Sequence, residues 1–129
     1  MLKIIKKNAL QKKVILVGPK EDVRPYLIHS LFVVLVSYWE GLSRVLIESA
    51  AMGVPILASH NGGNKEVVFD QHNGLLVDAG DVQQITMSLD RITKVKCLKE
   101  YSLNSRCLAE ELFDIRKSIG KIESLYRKL

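Results

Sequence analysis

Four short apolar runs, each bounded by turn residues, constrain this chain more than any other feature: "KVILVG", "LFVVLVS", "PILAS" and "NGLLV". Each is continuously apolar rather than alternating, which suits strands buried on both faces, as in a parallel sheet. The stretches between them have helical length and period. That alternation predicts an α/β fold with parallel strands at about 14–18, 32–37, 55–59 and 75–77.

Local signals place the helices. The first is expected over about Leu2 to Lys12, directly ahead of the first run. Asp22 is a plausible N-cap for the next, with Pro25 tolerated in its first turn. The helix after "LFVVLVS" should end at Gly53, with Pro55 just beyond. The stretch "HNGGNKEVVF" reads as a turn with one or two helical turns. Asp81 opens a helix through "DVQQITMSLDRI", with Gln84 three residues on to complete a capping box. The remainder, Lys96 to Leu129, reads as helical with a break or bend at Gly120. There is no internal repeat, low-complexity tract or linker, so residues 1–129 read as one domain.

Composition narrows the class. At 129 residues with 47% hydrophobic and 26% charged, the chain suits one soluble globular unit. The longest apolar run, "LFVVLV", is far below the ~20 residues of a membrane helix. The start, "MLKIIKKNALQKK", lacks the apolar core of a signal peptide. A cytoplasmic location is expected. Cys97 and Cys107 lie ten apart with no CxxC and no nearby histidine, so neither a disulfide framework nor a zinc site is expected.

The net charge of +5 is unevenly placed. Residues 1–26 hold seven Lys/Arg against two acids, and residues 91–129 hold ten against five. Between them stand only Arg44 and Lys65 against seven acids. Basic residues at helical spacing on the flanks read as solvated faces rather than a nucleic-acid surface.

The chemistry concentrates in "YWEGLSRVLIESAAMGVP", residues 38–55. Val45, Leu46, Ile47, Ala50, Ala51 and Met52 spread around almost the whole helical wheel, which predicts a buried helix. Glu48 stands among them, and a buried charge needs a partner. Arg44, four residues earlier, could supply it, although Arg-before-Glu is the weaker orientation. That pairing leaves Glu40 unexplained. In parallel α/β folds ligands bind beyond the carboxyl ends of the strands, where helix N-termini offer open N–H groups suited to phosphate. Gly41 would allow close backbone approach. Carboxylates only accept hydrogen bonds, so two of them suit the vicinal hydroxyls of a ribose or hexose. The combination describes a nucleotide-sugar site.

The run "SYWEGLSRVLIESAAMGVPILASHNGGNKEVV", followed by "NGLLVDAGD", resembles the donor-binding half of retaining GT-B glycosyltransferases of family 4, the group 1 transferases. The matching features are Glu40 and Glu48 with seven residues between them, the Gly-Val-Pro strand, Gly62-Gly63-x-x-Glu66, and Asn-Gly-Leu-Leu-Val. The closing "AEELFDIRKSIGKIESLYRKL" is similar to the family's last helices. The resemblance implies an incomplete GT-B C-terminal domain, a Rossmann-like half closed by C-terminal helices. It assigns Glu40 to the hydroxyls of the transferred sugar as the catalytic residue and Glu48 to the nucleotide ribose. The amides of Gly41, Leu42 and Ser43 would face the diphosphate or sugar, and the loop at Gly18 would pass near the base. Glu66 reads as a cap or ion-pair partner and Trp39 as packing. His29, His60 and His72 read as structural or surface residues.

The resemblance implies no metal and no cofactor, the nucleoside-diphosphate sugar being the donor substrate. It also implies an acceptor-binding N-terminal half as a partner, and peripheral membrane association through the acceptor. Two departures matter: the family's phosphate-binding arginine and lysine have no match, and the acceptor domain is absent. The expectation is a glycosyltransferase fragment that is inactive alone. Alternatives are a non-catalytic nucleotide-sugar binding module and a folded remnant without a ligand.

Overall fold

The computed structural model describes residues 1–128. Three parallel strands, β1 (Val33–Leu35), β2 (Ile56–Ser59) and β3 (Gly74–Val77), lie side by side in that order. Val33 stands opposite Ile56 on one side of β2, and Ile56 opposite Gly74 on the other. All four residues of β2 are buried, as a strand covered on both faces and flanked on both edges must be.

The helices are α1 (Leu2–Lys7), α2 (Arg24–Ile28), α3 (Arg44–Ala51), α4 (Val82–Ile92), α5 (Val95–Leu112) and α6 (Ile115–Tyr126). One face of the sheet packs Ile56 and Ala58 against Leu46 and Ala50 of α3, together with Val67, Val68 and Ala109. The other face packs Leu57, Leu75 and Val77 against Ile92 of α4 and Tyr101 of α5. Helix α5 also runs along α3, and the Arg106 guanidinium donates to the Ala51 carbonyl at the end of that helix. No helix among the described residues is long and apolar enough to cross a membrane.

The run predicted as the first strand does not form one. Val14, Ile15, Leu16 and Val17 have no ladder partner among the described residues and are 39%, 81%, 48% and 48% exposed. Their β-branched composition favours a strand only where a neighbouring strand supplies hydrogen bonds and a face to pack on. Helix α1 stops at Lys7, five residues short of the expected end, and the chain turns as Leu10 N–H bonds to the Ile5 carbonyl.

Two caps and one helix break differ from expectation. Asp22 accepts the Arg24 N–H, but Val23 occupies the N-cap position of α2. Asp81 caps α4 through the Gln84 N–H, as the sequence implies. Gln84 does not complete the box: its side chain accepts from the Asp78 N–H, while the Asp81 N–H bonds to the Asp78 carbonyl. The long C-terminal helix breaks at Phe113–Asp114, and Gly120 lies inside α6. Asp114 accepts the Arg116 N–H as the N-cap of α6. Such a cap contributes about 1 kcal/mol to starting a helix there, which matches the cost of one glycine inside it.

Candidate functional site

The loop 36–43 joins the carboxyl end of β1 to the N-terminus of α3. Ser43, buried at 7% exposure, is the N-cap with extended backbone, and its carbonyl accepts the Ile47 N–H. Its hydroxyl makes no capping bond. The N–H groups of the first turn of α3 therefore receive no acceptor from the cap side chain, at the positive end of the helix dipole.

Glu40 is half-buried in this loop and enters no ion pair or side-chain hydrogen bond among the described residues. Gly41 and Leu42 follow it, both exposed. Glu48 lies about 6 Å along α3 from Arg44, and its Cβ tilts back toward the helix N-terminus. Its side chain is 42% exposed and 3.8 Å from that of Arg44, which is 91% exposed.

The expectation of a fully buried α3 is thus corrected. Leu46, Ser49 and Ala50 are buried, but Arg44 and Val45 are exposed and Glu48 is half-exposed. The wheel misled because the sheet and α5 cover only part of the helix, and alanine leaves the remainder without bulk. Glu48 keeps contact with water and needs no internal countercharge.

Gly18 has a left-handed backbone, φ +66, in the irregular segment after Val17. No hydrogen bond among the described residues joins it to the 40–48 segment. Trp39 does not pack: it is 90% exposed. Glu66 is exposed in the 3-10 turn Gly63–Glu66 and pairs with no cation among the described residues. No group of three or more His, Cys, Asp or Glu side chains among the described residues could hold a metal ion.

Sequence reasoning missed what stands behind the loop. Ser37 N–H donates to Ser59 Oγ at 3.0 Å. The Asn61 amide donates to the Ser37 carbonyl at 3.0 Å and to Ser59 Oγ at 3.1 Å. The Asn64 amide donates to the Ser59 carbonyl and Oγ, at 3.0 and 3.1 Å. Gly63 presses on the loop so closely that a Cβ there would overlap the Gly41 carbonyl. A signal was present: two adjacent apolar runs each end in serine, Ser37 and Ser59, and parallel pairing brings such ends together.

A parallel α/β sheet with a loop and an open helix N-terminus at its carboxyl edge is the arrangement of an α/β domain that takes a ligand at that edge. Residues 2–94 match the family described as glycosyl transferases group 1. The chain belongs to that family. It is 32% identical over 117 residues to the UDP-Gal:alpha-D-GlcNAc-diphosphoundecaprenol alpha-1,3-galactosyltransferase of Escherichia coli, covering 91% of this chain and 30% of that protein. Against the N-acetyl-alpha-D-glucosaminyl L-malate synthase of Bacillus anthracis it is 26% identical, over 98% of this chain and 33% of that one. Among solved structures, sucrose-phosphate synthase from Thermosynechococcus elongatus superposes with a TM-score of 0.90 at 27% identity, over 98% of this chain and 33% of its own. Anabaena HepE in complex with UDP superposes with a TM-score of 0.90 at 23% identity, over 99% of this chain and 36% of its own. The chain thus spans about a third of the length of these relatives.

Proposed function

We propose that this chain is the donor-binding part of a retaining glycosyltransferase and holds a nucleoside-diphosphate sugar at the 40–48 segment. The observation that carries the reading is the loop Glu40–Ser43 running into the open N-terminus of α3, with a half-exposed carboxylate at each end of the segment. In this reading the amides of Gly41, Leu42 and Ser43 face the diphosphate or the sugar. Glu40 takes the hydroxyls of the transferred sugar and is the catalytic residue. Glu48 takes the ribose, and Gly18 lies toward the base. The Escherichia coli relative is a UDP-Gal transferase and the similar fold of Anabaena HepE was solved with UDP, which makes UDP the first nucleotide to test.

Sugar transfer depends on stabilising the leaving diphosphate, for which amides and cations serve together. The cation on this helix is Arg44, whose guanidinium is turned to solvent beside Glu48. Two missing charge-assisted phosphate contacts cost about 3–6 kcal/mol, or roughly two to four decades in affinity. By itself the chain therefore binds UDP weakly and transfers no sugar. An acceptor-binding half would be its partner, and any membrane association would come through the acceptor.

Titration of the ¹⁵N-labelled chain with UDP and UDP-sugars tests this. The expected result is weak saturable binding, about millimolar, with shifts confined to the amides of residues 40–48 and near Gly18. Shifts elsewhere alone, or none at all, would overturn the donor-site reading. Micromolar binding with sugar transfer by this chain would overturn its incompleteness.

A further inference from the structure

We infer that Asn64 is a positioning residue for the Glu40–Ser43 loop, acting through Ser59 and the Gly63 backbone; this rests on the donor-site reading for its functional meaning. Asn64 is fully buried on the 3-10 turn that follows β2. Its amide nitrogen faces the Ser59 carbonyl, which can only accept, so the amide orientation is fixed with Nδ2 as donor. Its Oδ1 is then buried with no hydrogen-bond partner among the described residues, and the same holds for Asn61 Oδ1 and Ser37 Oγ. An amide with one end unmatched is a poorer space-filler than an apolar side chain of similar size. Packing alone therefore does not account for asparagine here.

Position does account for it. The bonds from Asn64 hold Ser59 and the turn to one another, and Gly63, one residue before Asn64, lies against the backbone of Gly41 and Leu42. Ser59 Oγ also accepts the Ser37 N–H, which fixes the other end of the loop where it leaves β1. The loop is thus bonded to Ser59 where it leaves β1 and backed at Gly41 and Leu42 by Gly63, and Asn64 adjoins both supports. Releasing Asn64 frees the wall on which the proposed phosphate-facing amides rest.

The test is an amide spectrum of the full ¹⁵N-labelled chain, first without ligand and then with UDP. Asn64→Leu keeps the branched shape, at somewhat greater bulk, and removes both donors; Ser59→Ala removes the shared acceptor and serves if the first variant does not fold. Asn104→Ala is the control, because it removes a side-chain amide bond from α5 to the His72 carbonyl, away from the turn that carries Asn64. In the two test variants the ligand-free resonances of Gly41, Leu42 and Ser43 should move or broaden, while Leu57 and Leu75 stay in place. The control should spare the loop. UDP should then bind the test variants roughly tenfold or more weakly, the loss expected from one charge-assisted amide contact to phosphate. Unmoved loop amides, or equal changes across the whole sheet, would overturn the positioning role. Absence of any UDP response in the unaltered chain would instead overturn the donor-site reading, and the ligand-free spectra would still decide the role of Asn64.

Discussion

Arg44 and Glu48 sit one helical turn apart with guanidinium and carboxylate 3.8 Å from each other, and both reach solvent. At that exposure the pair contributes about 0–1 kcal/mol. Glu48→Gln should therefore change the urea unfolding free energy by no more than about 1 kcal/mol, while the UDP response near Ser43 is lost. A fall of several kcal/mol with the UDP response intact would mean that Glu48 serves the fold.

Gly63 and Gly62 are adjacent but differ in their surroundings. A Cβ at Gly63 would overlap the Gly41 carbonyl and come within 2.7 Å of the Leu42 nitrogen, whereas one at Gly62 would meet nothing within 4 Å. Gly63→Ala should destabilise by about 1–3 kcal/mol and displace the donor loop. Gly62→Ala should stay within about 0.5 kcal/mol of the unaltered chain. Equal midpoints for the two variants in urea would show that the loop yields freely.

Asn73, expected only as a turn residue, is fully buried and ties three segments together. Its Oδ1 accepts the Phe69 N–H, its Nδ2 donates to the Val67 carbonyl, and its own carbonyl accepts from Ser105 on α5. Asn73→Ala leaves the first two groups without their partner and should cost about 1–3 kcal/mol for each that stays unsatisfied. A chemical melt showing less than half a kilocalorie of loss, well under that range, would mean that water replaces the amide there.

The joint between α5 and α6 should be acid-sensitive. The side-chain hydrogen bond from Arg116 holds the Asp114 carboxyl down to about 2, from an ordinary 3.8, with the Arg116 backbone N–H adding to it. A carboxyl lowered on folding stabilises the fold above its ordinary value and loses that contribution as pH falls from about 3.8 through about 2. The Arg116 amide should titrate with a midpoint near 2, and Asp114→Asn should remove that titration. A midpoint near 4 would mean that the carboxylate is not held by Arg116.

The sheet was legible in the sequence where strands have neighbours. The runs at 32–37 and 55–59 contain β1 and β2, and the run at 75–77 falls within β3, because a continuously apolar segment between helices has few other places to go. The run at 14–18 has the same composition and no ladder, since composition does not specify a hydrogen-bonding partner. At the site, Glu40 and Glu48 could be found because their residue type is unusual in an apolar context. The degree of burial of Glu48 could not be read, since a helical wheel does not know which neighbours arrive. The Ser37, Ser59, Asn61 and Asn64 knot was hidden for a related reason. Serine and asparagine are ordinary turn residues, and only the strand register makes them converge.

The unladdered run also bears on how the chain behaves in a tube. β1 is an edge strand with Val34 at 47% exposure, and Val14–Val17 carry β-branched and leucine side chains into solvent without a charge among them. Segments of this kind recruit copies of themselves edge to edge. Lys12 and Lys13 before the run and Lys20 after it act as gatekeepers by mutual repulsion. That repulsion is screened within about 10 Å at 0.1 M salt. Light scattering should therefore rise with added salt as well as with protein concentration, and Ile15→Lys should suppress it, making dilute, low-salt buffer the condition in which this chain stays monodisperse.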